Sequence, residues 1–224
     1  MIIFLRHGQA ENNVKRILAG RTDGVPLTKT GIEQAGRIAK YLKPLDISAI
    51  YSSPIERAKH TAEIVAENNS LDYQLDDRLI EIDMGRFTLM NYDDMFAKYG
   101  NVFLKFYEND PVIAKHKVET FPDVRKRILD MVDYVIKKHG NQNVVLVTHM
   151  DPIKSILSVV MDLKPKTLFE LIIANASLTI IKEQDGKFSL SAINAMDIDR
   201  YYQTCNSNLP IILNYIDQSS KTAK

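Results

Sequence analysis

Three absences bound this chain of 224 residues before any motif is read. It carries one cysteine, Cys205, so no intrachain disulfide can form. It has no excess of either charge, with 29 Lys and Arg against 28 Asp and Glu. Such a balance gives no global field to hold a polyanion, so nucleic acid is not expected as a partner. No apolar run approaches the roughly 18 residues needed to span a bilayer, and no membrane partner is expected. The first residues enter a strand-like run at once and do not form a charged-then-apolar signal. A cytoplasmic protein is the resulting expectation. Nothing reads as a linker, an internal repeat or a low-complexity block, so one domain over 1–224 is expected, large enough for a well-buried core.

What is present is a pattern of apolar runs ending in polar tips. Ile2 to Leu5 is a continuous apolar run that ends in Arg6-His7-Gly8, and Val144 to Thr148 is a second that ends in His149. Continuous runs of this kind are strands buried on both faces of a sheet. Open α/β sheets bind ligands at the carboxyl ends of their strands, which is where both histidines fall. A third run, Ala49-Ile50-Tyr51, leads into Ser52-Ser53-Pro54-Ile55-Glu56-Arg57. There Ser53 reads as an N-cap, Pro54 as the first helical position and Glu56 as the partner of a capping box. Arg57 then falls in the first helical turn, beside unpaired N–H groups that favour an anion.

Between these runs the helical period is clear. Thr30 and Glu33 suggest a capping box, followed by Ile32, Ala35, Ile38, Ala39 and Leu42, with a stop at Pro44. Ala58, Thr61, Ala62, Val65 and Ala66 form a second apolar face, and Val124, Ile128, Met131, Val132 and Val135 a third that Gly140 ends. Ile153, Ile156, Leu157 and Val160 form a fourth. Leu178 to Lys182 and Phe188 to Ile193 flank Asp185-Gly186 as a hairpin. Residues 72–120 lack a long period and read as short helices and loops, with an insertion at about 85–120 covering the sheet edge where loops set substrate choice. The end, Ser219 to Lys224, reads as a frayed tail.

Arg6-His7-Gly8, Ser52-Ser53-x-x-x-Arg57-Ala58-x-x-Thr61-Ala62, Glu81 within Leu79-Ile80-Glu81-Ile82-Asp83-Met84-Gly85, and Thr148-His149 together resemble the histidine phosphatase superfamily, the phosphoglycerate mutase-like enzymes. Asn13, Gly20-Arg21-Thr22-Asp23, Gly31, Gln34-Ala35 and Asn175-Ala176-Ser177 extend the resemblance from about residue 1 to about 195. It implies a three-layer α/β sandwich with a mostly parallel central sheet flanked by helices. It also implies a phosphomonoester hydrolase acting on a small phosphorylated metabolite through a phosphohistidine. His7 is then the nucleophile, Glu81 the general acid and base, and Arg6, Arg57 and, if protonated beside the dianion, His149 the phosphate clamp. Asn13, Gly20, Arg21, Thr22 and Met150 are the implied substrate contacts. No metal and no cofactor are expected, since the five histidines are scattered and the clamp consists of side-chain cations.

Departures from the family concern the substrate. Met150 stands where glycine commonly follows the second histidine, Phe87-Thr88-Leu89 where tryptophan and glycine often follow the acid, and Lys117-Val118-Glu119 where a glycine-rich stretch precedes the long helix. The mutases usually carry Glu-Arg-His-Tyr-Gly at the acid, against Glu81-Ile82-Asp83-Met84-Gly85 here, which favours a phosphatase over a cofactor-dependent phosphoglycerate mutase. A silent phospholigand-binding protein is the third reading. A homodimer stays open. Taken singly, Arg57 would be a surface ion pair, Glu81 a solvated charge with Asp83 as competitor, and His60 and His116 solvent-facing. His139 reads as a favourable charge at a helix end. Lys98, Lys105, Lys115 and Lys117 read as a solvated face or a phosphate-directed lid.

Overall fold

The structure, a computed structural model, describes residues 1–196; the tail expected at 219–224 lies outside the described residues. Six strands form one sheet: β1 Ile2–Arg6, β2 Ile47–Ser52, β3 Tyr73–Leu75, β4 Asn143–Thr148, β5 Leu178–Gln184 and β6 Lys187–Ala195. Their order is β3-β2-β4-β1-β5-β6, parallel from β3 to β1 and antiparallel from β1 to β6. The helices are α1 Glu11–Lys15, α2 Lys29–Leu42, α3 Glu56–Asn69, α4 Tyr92–Tyr99, α5 Val102–Tyr107, α6 Val112–Lys115, α7 Phe121–His139, α8 Met150–Val160 and α9 Pro165–Glu170.

Alternation along the strands divides the core. Ile3, Leu5, Val145 and Val147 face α2 and α3, where Ile38, Leu42, Ala62 and Val65 meet them. Ile2, Phe4, Val144 and Leu146 face α7 and α8, against Ile128, Val132, Ile153 and Ile156. This is the expected three-layer sandwich, and it explains why β1 and β4 are apolar at every position. A third cluster, with Phe87, Met95, Phe106 and Val118, makes the expected insertion a packed body with its own core.

Three local expectations need correction. Helix α3 begins at Glu56 with Ile55 as its N-cap, so Ser53, Pro54 and Glu56 form no capping box. The Ser53 hydroxyl is instead 2.9 Å from His149 Nε2, and tertiary contact has overridden the local signal. Helix α2 is capped by Thr28, whose hydroxyl accepts from the Gly31 N–H, and not by Thr30; Ile32 is 42% exposed. The helix also continues past Leu42 into a 3-10 turn, Lys43–Leu45, that includes Pro44. Strand β3 was not expected at all. It is three residues long with an exposed side, too short to leave an alternating pattern. The hairpin is as expected, with Asp185 and Gly186 both at positive φ, as a type I′ turn requires.

Leu89 occupies the left-handed region at φ 65° with its side chain 61% exposed, so it bears steric strain with little packing in return. Its N–H donates to the Leu18 carbonyl, which pins the loop in that conformation. Replacing Leu89 with Gly should raise unfolding stability by about 1 kcal/mol, whereas Leu89→Ala should change it by less than about 0.5 kcal/mol. Urea denaturation of both variants checks this, and equal effects would mean that φ at this position is not the constraint.

Candidate active site

Strand register builds the site. Arg6 of β1 is paired with Thr148 of β4, so the residues that follow, His7 and His149, emerge side by side. Their ring centroids are 5.1 Å apart. The His7 N–H donates to the Thr148 carbonyl, and the His7 carbonyl accepts from the Ala176 N–H and the Asn175 amide, which fixes the backbone on both sides. The ring is oriented by its own neighbour: Nδ1 lies 2.7 Å from the Gly8 carbonyl oxygen and must donate to it. The Nε2 lone pair is thereby left for reaction. Gly8 must be glycine, because a Cβ there would lie 2.4 Å from the Gly31 carbonyl oxygen. The Gly8 N–H donates to the Thr61 hydroxyl.

Arg57 is 2% exposed, and three of its five guanidinium N–H groups have partners. Its Nη2 donates to the Gly20 carbonyl at 2.7 Å, its Nη1 to the Thr22 carbonyl at 3.3 Å, and its Nε to His7 Nε2 at 3.3 Å. Burial lowers its pKa to about 10, which leaves it charged at neutral pH. Arg6 donates to the Ile173 carbonyl, and its buried Nε has no partner among the described residues. His149 is fully buried with an unpartnered Nδ1. Arg6 lines the cleft, and His149 does not.

Both histidines are held neutral. Burial pushes His7 well below its ordinary value, and the Arg57 and Arg6 cations add to the effect. His149 is lowered by burial, then by Arg57 and His7. A buried imidazolium would face two guanidinium groups, so protonation of His149 needs the dianion that the expectation supposes beside it. A dianion bound among these groups would reverse that balance.

Glu81 lies across the same cleft, whose volume is about 370 Å³. Burial raises its pKa to about 7, and the Asp151 carboxylate adds to the rise, against the Ile82 N–H bond and the Arg57 and Arg6 charges. Asp83, the competing acid, turns away: it accepts from the Gly85 N–H, its side chain is 49% exposed, and it does not line the cleft. The segment that carries Glu81 is irregular and is splinted from outside. Arg21 donates to the Glu81 carbonyl at 3.1 Å and Arg127 to the Ile80 carbonyl at 2.6 Å, while Glu119 binds both guanidinium groups at 2.9 Å.

Of the five expected substrate contacts, Asn13, Gly20 and Met150 line the cleft. Arg21 and Thr22 do not; Arg21 braces the acid segment and Thr22 offers its carbonyl to Arg57. Met150 opens α8 and is absent from the positive-φ positions, so replacing glycine there strains nothing. None of Lys98, Lys105, Lys115 and Lys117 reaches the cleft. The outer cation is Arg16, paired with Asp93 at 2.7 Å. His116 packs against Phe87 and Tyr99, and His139 meets the Tyr51 hydroxyl at 2.9 Å, so both have structural roles. His60 is half-buried and also lies away from the cleft. Among the described residues no three His, Cys, Asp or Glu side chains gather as a metal site, and no helix is long and apolar enough to cross a membrane.

A profile of the histidine phosphatase superfamily (branch 1) matches residues 2–196. The chain belongs to that superfamily. It is 34% identical over 205 residues to a 2,3-bisphosphoglycerate-dependent phosphoglycerate mutase from Thermoplasma acidophilum, covering 89% of this chain and 96% of the relative. It is 28% identical over 196 residues to phosphoserine phosphatase 1 of Hydrogenobacter thermophilus, covering 86% and 91%. Among solved structures, a mycobacterial glucosyl-3-phosphoglycerate phosphatase in complex with VO3 superposes with a TM-score of 0.78 at 28% identity, covering 87% of this chain and 98% of that one. This superfamily enzyme thus has both phosphatases and a mutase among its relatives.

The raised pKa of Glu81 carries a stability consequence. A carboxyl that is harder to ionise folded than unfolded destabilises the fold progressively as pH rises from 4.5, its ordinary value, to about 7. Glu81→Gln should therefore match wild-type Tm near pH 4 and exceed it at pH 8. Calorimetry at the two pH values checks the sign, and a Gln variant less stable at pH 8 would show that the carboxylate is a net stabiliser.

Proposed function

We propose that this enzyme is a phosphatase that hydrolyses a small phosphomonoester through a phosphohistidine on His7. One observation carries the reading: a neutral His7 ring, with Nδ1 bound to Gly8 and Nε2 against Arg57, faces a carboxyl whose pKa is about 7. That pairing suits nucleophilic attack on phosphorus with general-acid help at neutral pH.

In the first step Nε2 attacks phosphorus, the P–N bond forms and the ester P–O bond breaks. Glu81 gives its proton to the departing alkoxide. Arg6 and Arg57 bear the charge on the equatorial oxygens, which is most of what phosphoryl transfer asks of a protein. Arg57 must yield its contact with Nε2 as the phosphoryl group arrives. In the second step the Glu81 carboxylate takes a proton from water as the water oxygen attacks phosphorus, and the P–N bond breaks with its electron pair returning to Nε2. Inorganic phosphate then leaves and His7 is restored. Side-chain cations supply the positive charge at each stage, so the proposed reaction is metal-independent. A cytoplasmic location fits the lone Cys205 and a metabolite substrate.

The mutase reading is favoured by the Thermoplasma relative. Among the described residues the cations on the cleft wall are Arg6, Arg16 and Arg57, with Arg16 already paired and Asp151 opposing them. That is a thin positive lining for a bisphosphorylated, carboxylate-bearing ligand, and it supports the phosphatase.

The test is a phosphomonoester screen beside a mutase assay with 3-phosphoglycerate and 2,3-bisphosphoglycerate. Hydrolysis should survive EDTA, and a phosphoenzyme labile to acid and stable to base should vanish in His7→Ala. Glu81→Gln should lose roughly 10²- to 10⁴-fold on an alkyl phosphate and far less on nitrophenyl phosphate, whose leaving group needs no proton. Efficient isomerisation with little hydrolysis would establish the mutase, and label on serine or aspartate would remove His7 as nucleophile.

A further inference from the structure

The cleft holds one anionic side chain that the phosphoryl chemistry does not use. Asp151, in the first turn of α8, is only 3% exposed and yet lines the cleft with Arg6 and Glu81. Its Oδ1 accepts from the Tyr107 hydroxyl at 2.5 Å, and that hydroxyl accepts from Lys154 Nζ at 3.1 Å. Tyr107 and Lys154 are themselves 5% and 2% exposed, so the whole ladder is built into the core between α5 and α8. The Lys154 ammonium is hydrogen-bonded to Tyr107 and so is linked to the carboxylate through that hydroxyl. The second oxygen, Oδ2, has no hydrogen-bond partner among the described residues.

Burial raises the pKa of Asp151, against the Lys154 charge, the Tyr107 hydroxyl and the Arg6 and Arg127 cations, so a cation placed against its free oxygen is what would favour the ionised form. Water in the open cleft can serve Oδ2. A substrate that fills the cleft displaces that water and must replace its hydrogen bond, or leave a buried carboxylate oxygen unpaired.

Resting on the phosphatase reading, we propose that Asp151 is a specificity-determining residue whose free oxygen receives an ammonium group carried by the alcohol part of the substrate. The substrate class is then the aminoalkyl phosphomonoesters. An ammonium offers the strongest match, a charge-assisted hydrogen bond. A hydroxyl gives a weaker one, a methyl group leaves the oxygen orphaned, and a carboxylate in the same place meets like charge. A site built to bond a donor discriminates most sharply against analogues that lack it.

The experiment measures kcat/KM of the intact enzyme on 2-aminoethyl and 3-aminopropyl phosphate, on ethyl and propyl phosphate, and on 2-carboxyethyl phosphate. The better aminoalkyl ester should exceed its alkyl counterpart by on the order of 10- to 100-fold, the worth of a hydrogen bond to a charged group. The carboxyalkyl ester should be poorest. Within Asp151→Asn the aminoalkyl-to-alkyl ratio should fall to near one. Equal rates on amino and alkyl esters in the wild type would overturn the proposal with no variant needed. So would a preference that persists in Asp151→Asn. Failure to hydrolyse every ester, nitrophenyl phosphate included, would instead overturn the phosphatase reading on which the proposal rests.

Discussion

The hydrogen bond from His7 Nδ1 to the carbonyl oxygen of Gly8 decides which ring nitrogen can react, and much of the molecule exists to keep it in place. Gly8 can present its carbonyl only because the chain passes close to Gly31 with no Cβ between. Thr61 ties Gly8 to α3, and the same hydroxyl donates to the Arg57 carbonyl at 2.7 Å, so the backbone beside His7 and that of Arg57 share one anchor. Parallel pairing of β1 with β4 sets His149 behind the ring. A neutral, oriented imidazole follows from geometry that is complete before any ligand arrives, which is the preorganisation that phosphoryl transfer rewards.

Charge is the second constraint. Burial and the two neighbouring guanidinium groups disfavour imidazolium, so both histidines are neutral. The same burial makes Glu81 reluctant to ionise, and the nearby Asp151 reinforces it. Burial thus pushes His7 and Glu81 towards the forms that the proposed first step needs. The cost falls on stability, and the Arg21–Glu119–Arg127 network is where support is found for an acid segment with no regular structure of its own.

The sheet and its flanking helices were legible because β1 and β4 are apolar at every position and α2, α7 and α8 keep strict helical periods. The histidines, Arg57 and Glu81 were legible as an ordered set, each weak alone. What escaped depends on distant contacts. Ser53 reads as a helix cap and serves His149 instead. Glu119 belongs to the Lys117-Val118-Glu119 departure, which reads as bearing on the substrate, although it braces the segment that carries Glu81. Arg21 reads as a substrate contact because its motif lies beside the site, and its guanidinium turns outward to that brace. The Asp151–Tyr107–Lys154 ladder joins residues 44 and 47 positions apart, and nothing local to either segment announces it. In a sequence, Lys154 on the apolar side of a helix is only an interruption.

The central claim is that His7 is neutral, protonated on Nδ1, with an unprotonated Nε2 that accepts from Arg57 Nε in the resting enzyme. Nitrogen-15 NMR of histidine-labelled protein between pH 5 and 8, with His7 assigned through His7→Ala, reads this directly. The account predicts a neutral ring in the Nδ1–H tautomer across the whole range. An imidazolium signal for His7 above pH 6, or the Nε2–H tautomer at any pH, would contradict it.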